Sequence, residues 1–508
     1  MQNIPALLAA GLLALAVAFP TAPAAADPHT LRIGLNDDPD MLDPTLARTY
    51  TGRIVFAAMC DKLVDITPEL EIVPQLATEW HWVDDDKGLV LKLRQGVKFQ
   101  DGEPLDAAAV KFSIERHLTM PGSNRKAEIS AVSAVEIVDD HTVKLVLKTP
   151  FAPLLAALSD RAGMIVSPKA AQAPGDFATH PVCAGPYKFT ERVAQDRIVL
   201  GRFADYWDKD AVHFDRIVYL PIPDSTVRLA NLQSGGLDLI ERLAATDLAA
   251  ARGDTRLKVA TSTGLGYQAL SINLGNGPRA KNPLGQDPRV REALELSLDR
   301  TALNEVVFNG VFTPGNQWVD PKNQFYVKSH PIPARDVAKA KQLLAAAGVP
   351  HAQATLLAAN STETLRAAQV IQTMAAEAGF DFKIEAAESI SAIQASVDGK
   401  FEVYLNYWSG RTDPDGNLYN FTSCKGPPTL NITHYCNTAV DAALDAARST
   451  EDTAGRLAQY AKAADQLQAD RPLIYLWHPT WLFAMNSKLK GFAAYPDGLV
   501  RPQGLTLQ

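Results

Sequence analysis

The sequence predicts an α/β protein built as two lobes, and three observations carry that prediction. At 508 residues the chain exceeds what one hydrophobic core organises, since cores stop growing near ~250–300 residues. Beyond about residue 270, strand and helix patterns alternate, the order that builds βαβ units and a largely parallel sheet, whereas the first half reads as α+β. A late extended stretch, Leu473–Leu482 with Leu499 beyond it, is placed to return the chain to the first lobe. Two lobes joined by more than one chain crossing form a hinge, and the gap at a hinge is a natural ligand cleft.

From the N-terminus, Ala6–Phe19 is an apolar run, followed by Pro20 and by Ala24-Ala25-Ala26 before Asp27. A hydrophobic run ending in a small-residue A-x-A site is the pattern of a signal peptide, here residues 1–26, cleaved after Ala26. The preceding Met1–Pro5 lacks the usual Lys or Arg. The run is too short to span a bilayer comfortably and contains no Cys for lipid attachment, so a soluble periplasmic product is expected.

Thr30–Leu35 reads as a strand ending in the polar turn Asn36-Asp37-Asp38-Pro39. Leu89–Arg94 alternates apolar and charged residues as a half-buried strand does. Ala107–Thr119 places Val110, Ile114 and Leu118 on one helix face, and Ser133–Asp139 with His141–Lys148 forms a hairpin. Asp287 is set to cap a helix with Pro288 at its first position. Val337–Ala347 and Thr362–Ala378 are helices stopped by Gly348 and Gly379, interleaved with strands Ala354–Ala358, Phe380–Glu385 and Phe401–Trp408.

Composition narrows the function. Hydrophobic content of 47% with 21% charged residues is ordinary for a globular protein. The formal charge of −8 argues against nucleic acid or an anionic membrane as the main partner. An even number of cysteines in an exported chain points to disulfides: Cys424–Cys436 closes a short loop, and Cys60–Cys183 follows by elimination. No G-x-S-x-G, P-loop or H-E-x-x-H motif is present, and Thr263-Gly264-Leu265-Gly266 lacks the rest of a phosphate loop. Neither an enzyme nor a cofactor is expected. Asp413 and Asp415, in Thr412-Asp413-Pro414-Asp415-Gly416, read as paired carboxylates, as calcium ligands or as turn formers.

Three segments resemble the signature stretch of the bacterial family 5 extracellular solute-binding proteins: Gln75–Trp80, Leu93–Leu105 and Val110–Ser113. Leu42-Asp43-Pro44, Ala184–Phe189, Asp205-Tyr206-Trp207, Leu232–Asp238, Asp287–Arg291 and Asp299-Arg300 follow in the family's order, so the resemblance covers nearly the whole mature chain. It implies a two-lobed binding protein of type II, cluster C-like, hinged and with an extra subdomain at about residues 65–180. The implied division is 27–268 for the first lobe, 269–478 for the second and 479–508 for a return segment. It also implies a monomer that captures a small peptide or peptide-like solute and delivers it to the permease of an ABC importer. Glutathione, an opine, a sugar, a nickel chelate or haem are alternative solutes, and a chaperone or chemoreceptor accessory would use the same fold.

In peptide-binding members, a Trp is followed three positions later by an Asp that pairs with the ligand's ammonium. Trp408 matches, but Arg411 stands in the Asp position and Asp413 two residues beyond it. Arg411 is therefore expected either to recognise a carboxylate on the solute or to be a structural arginine in a turn. The remaining ligand-binding candidates come from position: Asn36 and Asp37 after the first strand, Tyr267 at the first crossing, Tyr404 as an aromatic wall beside Trp408, and Trp477 and His478 at the second crossing.

Overall fold

The computed structural model of the protein describes residues 29–508, so the expected signal peptide and its cleavage site lie outside the described residues. Among the described residues no helix is long and apolar enough to cross a membrane.

The first lobe is organised by a seven-stranded mixed sheet. Its founding strand is Thr30–Leu35, with Leu31, Ile33 and Leu35 fully buried. It pairs in parallel with Arg216–Pro221 on one side and Leu239–Ile240 on the other. An inserted four-stranded antiparallel sheet, running from Ala77–Val83 to Thr142–Leu147, has its own core between Leu63 and Ala184. Helix Ala107–Thr119 covers that sheet with Val110 and Ile114, and the Asp106 carboxylate caps it by accepting from the Ala109 N–H.

The second lobe carries a six-stranded sheet and departs from the expectation of a largely parallel one. Ala352–Ala359 pairs in parallel with Phe380–Ala387 and Val403–Trp408. The other pairings, of Tyr267–Ile272 with Val403–Trp408 and Leu473–His478, and of Leu473–His478 with Thr313–Pro314, are antiparallel. The reason is topological. The chain enters this sheet along Tyr267–Ile272 and leaves it along Leu473–His478, so strands sharing one doorway run in opposite directions. Helix Thr362–Ala378 begins at the Ser361 cap and ends at Gly379, which adopts the left-handed conformation.

Between the sheets the chain passes through Gly264–Gly266 and again through Pro479. Leu473–Leu482, read from sequence as one extended stretch, is two strands in two different sheets. Pro479 divides them, because it has no N–H to continue a ladder. Thr480–Asn486 then pairs with Leu257–Thr263 and Leu239–Ile240 in the first lobe. The two crossings touch: the Gly264 N–H donates to the Pro479 carbonyl at 2.8 Å. A Cβ on Gly266 would lie 1.8 Å from the Trp408 carbonyl oxygen, so only glycine allows that approach. Both disulfides, Cys60–Cys183 and Cys424–Cys436, are formed, with Cα separations of 4.9 and 4.4 Å.

Candidate functional site

A cavity of about 300 Å³ lies between the two sheets and is walled from both sides. The first lobe contributes the turn after its founding strand, the start of helix Tyr50–Met59, two loops of the inserted subdomain, and Arg242. The second lobe contributes strand Val403–Trp408, the loop beyond it, and the N-termini of helices Thr362–Ala378 and Ser389–Val397. The charged lining, among the described residues, is six arginines (Arg48, Arg125, Arg161, Arg228, Arg242 and Arg411) against three carboxylates (Asp37, Glu128 and Glu363). A cleft with that balance, inside a protein of net charge −8, is locally cationic.

At one end sits Arg242, held by a left-handed backbone at φ 49°. Its guanidinium lies 4.8 Å from the Tyr50 ring centroid, 4.6 Å from that of Tyr407 and 5.6 Å from that of Trp481. Tyr50 and Trp481 stack at 4.6 Å, so the cation meets a paired aromatic wall from one lobe and Tyr407 from the other. Turned to satisfy both neighbours, the Asn36 amide donates to Glu241 at 2.6 Å and accepts from Arg242 at 3.2 Å. Burial raises the Glu241 carboxyl above its ordinary range, against the pull of Arg242 and Arg228. Asp37 and Glu363 are raised by burial too; a hydrogen bond with Ser389 of the other lobe opposes the rise at Asp37.

At the other end four guanidinium groups surround two carboxylates. Arg53 pairs with Asp160 at 3.0 Å and donates to the Ser409 hydroxyl across the lobe boundary at 3.1 Å. Arg125 pairs with Glu128 at 2.7 Å. Arg411 reaches over from the second lobe to donate to Glu128 at 3.1 Å, and its Nε makes a charge contact of 3.1 Å with Asp160, without hydrogen-bond alignment. Arg161 donates to the Ala47 carbonyl at 2.8 Å, and no carboxylate among the described residues comes within ion-pair distance of it. Burial, followed by the repulsion of Arg125, holds the Arg161 guanidinium well below its usual range.

A profile of the bacterial extracellular solute-binding proteins, family 5 middle region, matches residues 71–428. The chain belongs to family 5 of the bacterial extracellular solute-binding proteins. The glutathione-binding protein of Pectobacterium atrosepticum is 29% identical over 506 residues, covering 97% of this chain and 96% of that one. Its counterpart in Salmonella typhi is 30% identical over 504 residues, covering 97% and 96%. Among solved structures, the PBP AgaA of A. tumefaciens R10 in complex with agropinic acid superposes with a TM-score of 0.85 at 28% identity, covering 94% of this chain and 99% of that one. The ABC transporter-associated periplasmic binding protein DppA of Helicobacter pylori, in complex with the peptide STSA, gives 0.86 at 26% identity, covering 94% and 98%.

Six of the residues singled out from sequence line the family 5 cleft here: Asn36, Asp37, Tyr404, Trp408, Arg411 and Trp477. Trp408 donates from its indole to Asn417 at 2.9 Å, and the Arg411 guanidinium lies 4.4 Å over its ring. The other three ligand-binding candidates, Tyr267, Asp413 and His478, do not face the cleft, nor does Asp415. The Tyr267 hydroxyl donates to the Asn417 carbonyl at 3.1 Å inside the second lobe's core, because its ring packs edge-on against Tyr475. Asp413 is turned away into a two-point pair with Arg456 at 2.8 and 2.7 Å, and Asp415 pairs with Arg448 at 2.9 Å. His478 sits beneath the hinge, its Nδ1 2.8 Å from the Gly266 carbonyl. Among the described residues no group of three or more His, Cys, Asp or Glu is placed to hold a metal ion.

Arg125, Glu128, Arg161, Arg242 and Glu363 were not identified from sequence. One local signal existed for Arg161. Ser159-Asp160-Arg161 interrupts an otherwise apolar stretch from Leu154 to Val166, and a charged pair in that setting reads as buried. Arg242 had no such signal, since its aromatic neighbours come from residues 50, 407 and 481.

Proposed function

We propose that this protein is the periplasmic solute-capturing component of an ABC importer, acting as a monomer on a small, peptide-like, carboxylate-bearing solute of the glutathione type. Its lobes, residues 27–268 and 269–478 with 479–508 returning to the first, close on the solute, and the closed form is what the membrane permease receives. The observation that carries this reading is the charge pattern of the cleft. Guanidinium groups predominate at the Arg161 end, and Asp37 and Glu363 stand near the Arg242 end. A solute with carboxylates and one ammonium has a counterpart for each. Trp408 and Trp477 offer apolar walls between them. The glutathione-binding relatives and the agropinic-acid-binding neighbour support a solute richer in carboxylates than a plain peptide.

Mass spectrometry of the small molecule released on unfolding identifies the solute. Calorimetry on the stripped, refolded protein then compares reduced glutathione, an opine and a neutral dipeptide. Glutathione or an opine should bind at least ~10-fold more tightly than the dipeptide, a difference of about 1.4 kcal/mol. A preference for the dipeptide refutes the carboxylate reading.

A further inference from the structure

The arginine-rich end of the cleft is assembled across the lobe boundary. Arg125 and Arg161 stand on loops of the first lobe, and Arg411 arrives from the second. Including Arg53, four positive charges meet two negative ones, Glu128 and Asp160. Arg125 is 3% and Arg161 2% exposed, both residues border the cavity, and Arg161 has only the Ala47 carbonyl as a side-chain partner, with no carboxylate in ion-pair reach among the described residues. Buried surplus charge is costly unless a counter-charge accompanies it.

We propose that closure of this protein is gated by an anion: a carboxylate of the solute seats against Arg125 and Arg161 and offsets the repulsion that Arg411 meets from them as it docks on Glu128 and Asp160. This rests on the solute-binding reading and adds to it. The carboxylate acts on the lobe equilibrium as well as on affinity, because separated lobes keep Arg411 apart from the first lobe's guanidinium groups while joined lobes do not. A solute can shift such an equilibrium only by the difference in its interaction with the two forms, and here the missing counter-charge is that difference. A neutral analogue of similar shape would find the same aromatic walls and leave the repulsion in place.

The test uses the mature protein stripped of solute by unfolding and refolding with its disulfides intact. Radius of gyration and melting temperature are followed as sodium formate replaces sodium chloride at constant ionic strength. Guanidinium groups recognise a carboxylate at two points, so formate should compact and stabilise the wild type beyond chloride. Arg161→Met, which removes one surplus charge, should already be more compact than wild type in chloride and respond little to formate. Glu128→Gln, which enlarges the surplus, should be more open than wild type in chloride and need more formate to compact. Equal formate responses in wild type and Arg161→Met, or a Glu128→Gln variant no more open than wild type, would overturn the proposal. Should Arg161→Met not fold, Arg161→Gln takes its place in the same comparison. Glutathione or a peptide compacting wild type and Arg161→Met alike while formate does nothing sinks the gating and spares the transport reading. Formate separating the two proteins while no solute binds does the reverse.

Discussion

Burial lowers the His117 imidazole to about 4, with Arg125 and Arg116 adding to the effect. The ring lies between the Thr45 hydroxyl, 2.9 Å from Nδ1, and the Met164 carbonyl, 3.3 Å from Nε2, so the neutral tautomer with its proton on Nε2 satisfies both. The unfolded chain takes up this proton near pH ~6.5 and the folded one only near 4, so stability drains away as pH falls through that interval. The full loss amounts to about 3 kcal/mol. Urea unfolding across that range should show a shallower pH slope for His117→Gln than for wild type; parallel curves would contradict the assignment. Legibility at this scale depended on whether a residue's partners were near in sequence. Trp408 and Arg411 stand on one strand and the loop after it, and both border the cavity. Asp160 and Glu128 meet a guanidinium some 250 or more residues away, and no local pattern encodes that.

Elements with local punctuation were the most legible. Helices Ala107–Thr119 and Thr362–Ala378 run between the residues expected, since each has its cap and its apolar stripe in its own sequence. The break at Pro479 and the antiparallel half of the second sheet were missed, because strand direction follows from where the chain must leave a lobe. The loop closed by Cys424–Cys436 is a wall of the cleft as well as a connection: Thr429, Leu430 and Ile432 line the cavity. Inside it, Asn431 donates to the carbonyls of Ser423 and Tyr435 at 3.1 and 2.7 Å. Replacing both cysteines by serine should cost about 3 kcal/mol of unfolding free energy in the chain-entropy view. It should also weaken binding of the co-purified solute, as the wall becomes less ordered. Calorimetry giving an unchanged Kd would assign the loop's order to Asn431 alone.

For the whole molecule, the contacts across the seam describe a closed state. Arg53 with Ser409, Arg411 with Glu128, and the Ala245 N–H with Glu363 each join the two lobes. Small-angle scattering should therefore report a larger radius of gyration for the stripped protein than for the solute-bound one. An unchanged value with solute bound would exclude hinge closure as the response to capture. That two lobes exist was legible from length and from the change of pattern near residue 270; the composition of the gap was not, because it is made by closing surfaces that neither lobe carries alone. The placement of Thr480–Asn486 bears on how the chain matures. This strand lies inside the first sheet, between Leu257–Thr263 and Leu239–Ile240, so a growing polypeptide that has not reached residue 486 leaves both without their shared neighbour. The lobe begun first is completed last, and synthesis of the entire second lobe intervenes. Completion of that sheet therefore waits until nearly the whole polypeptide has been made.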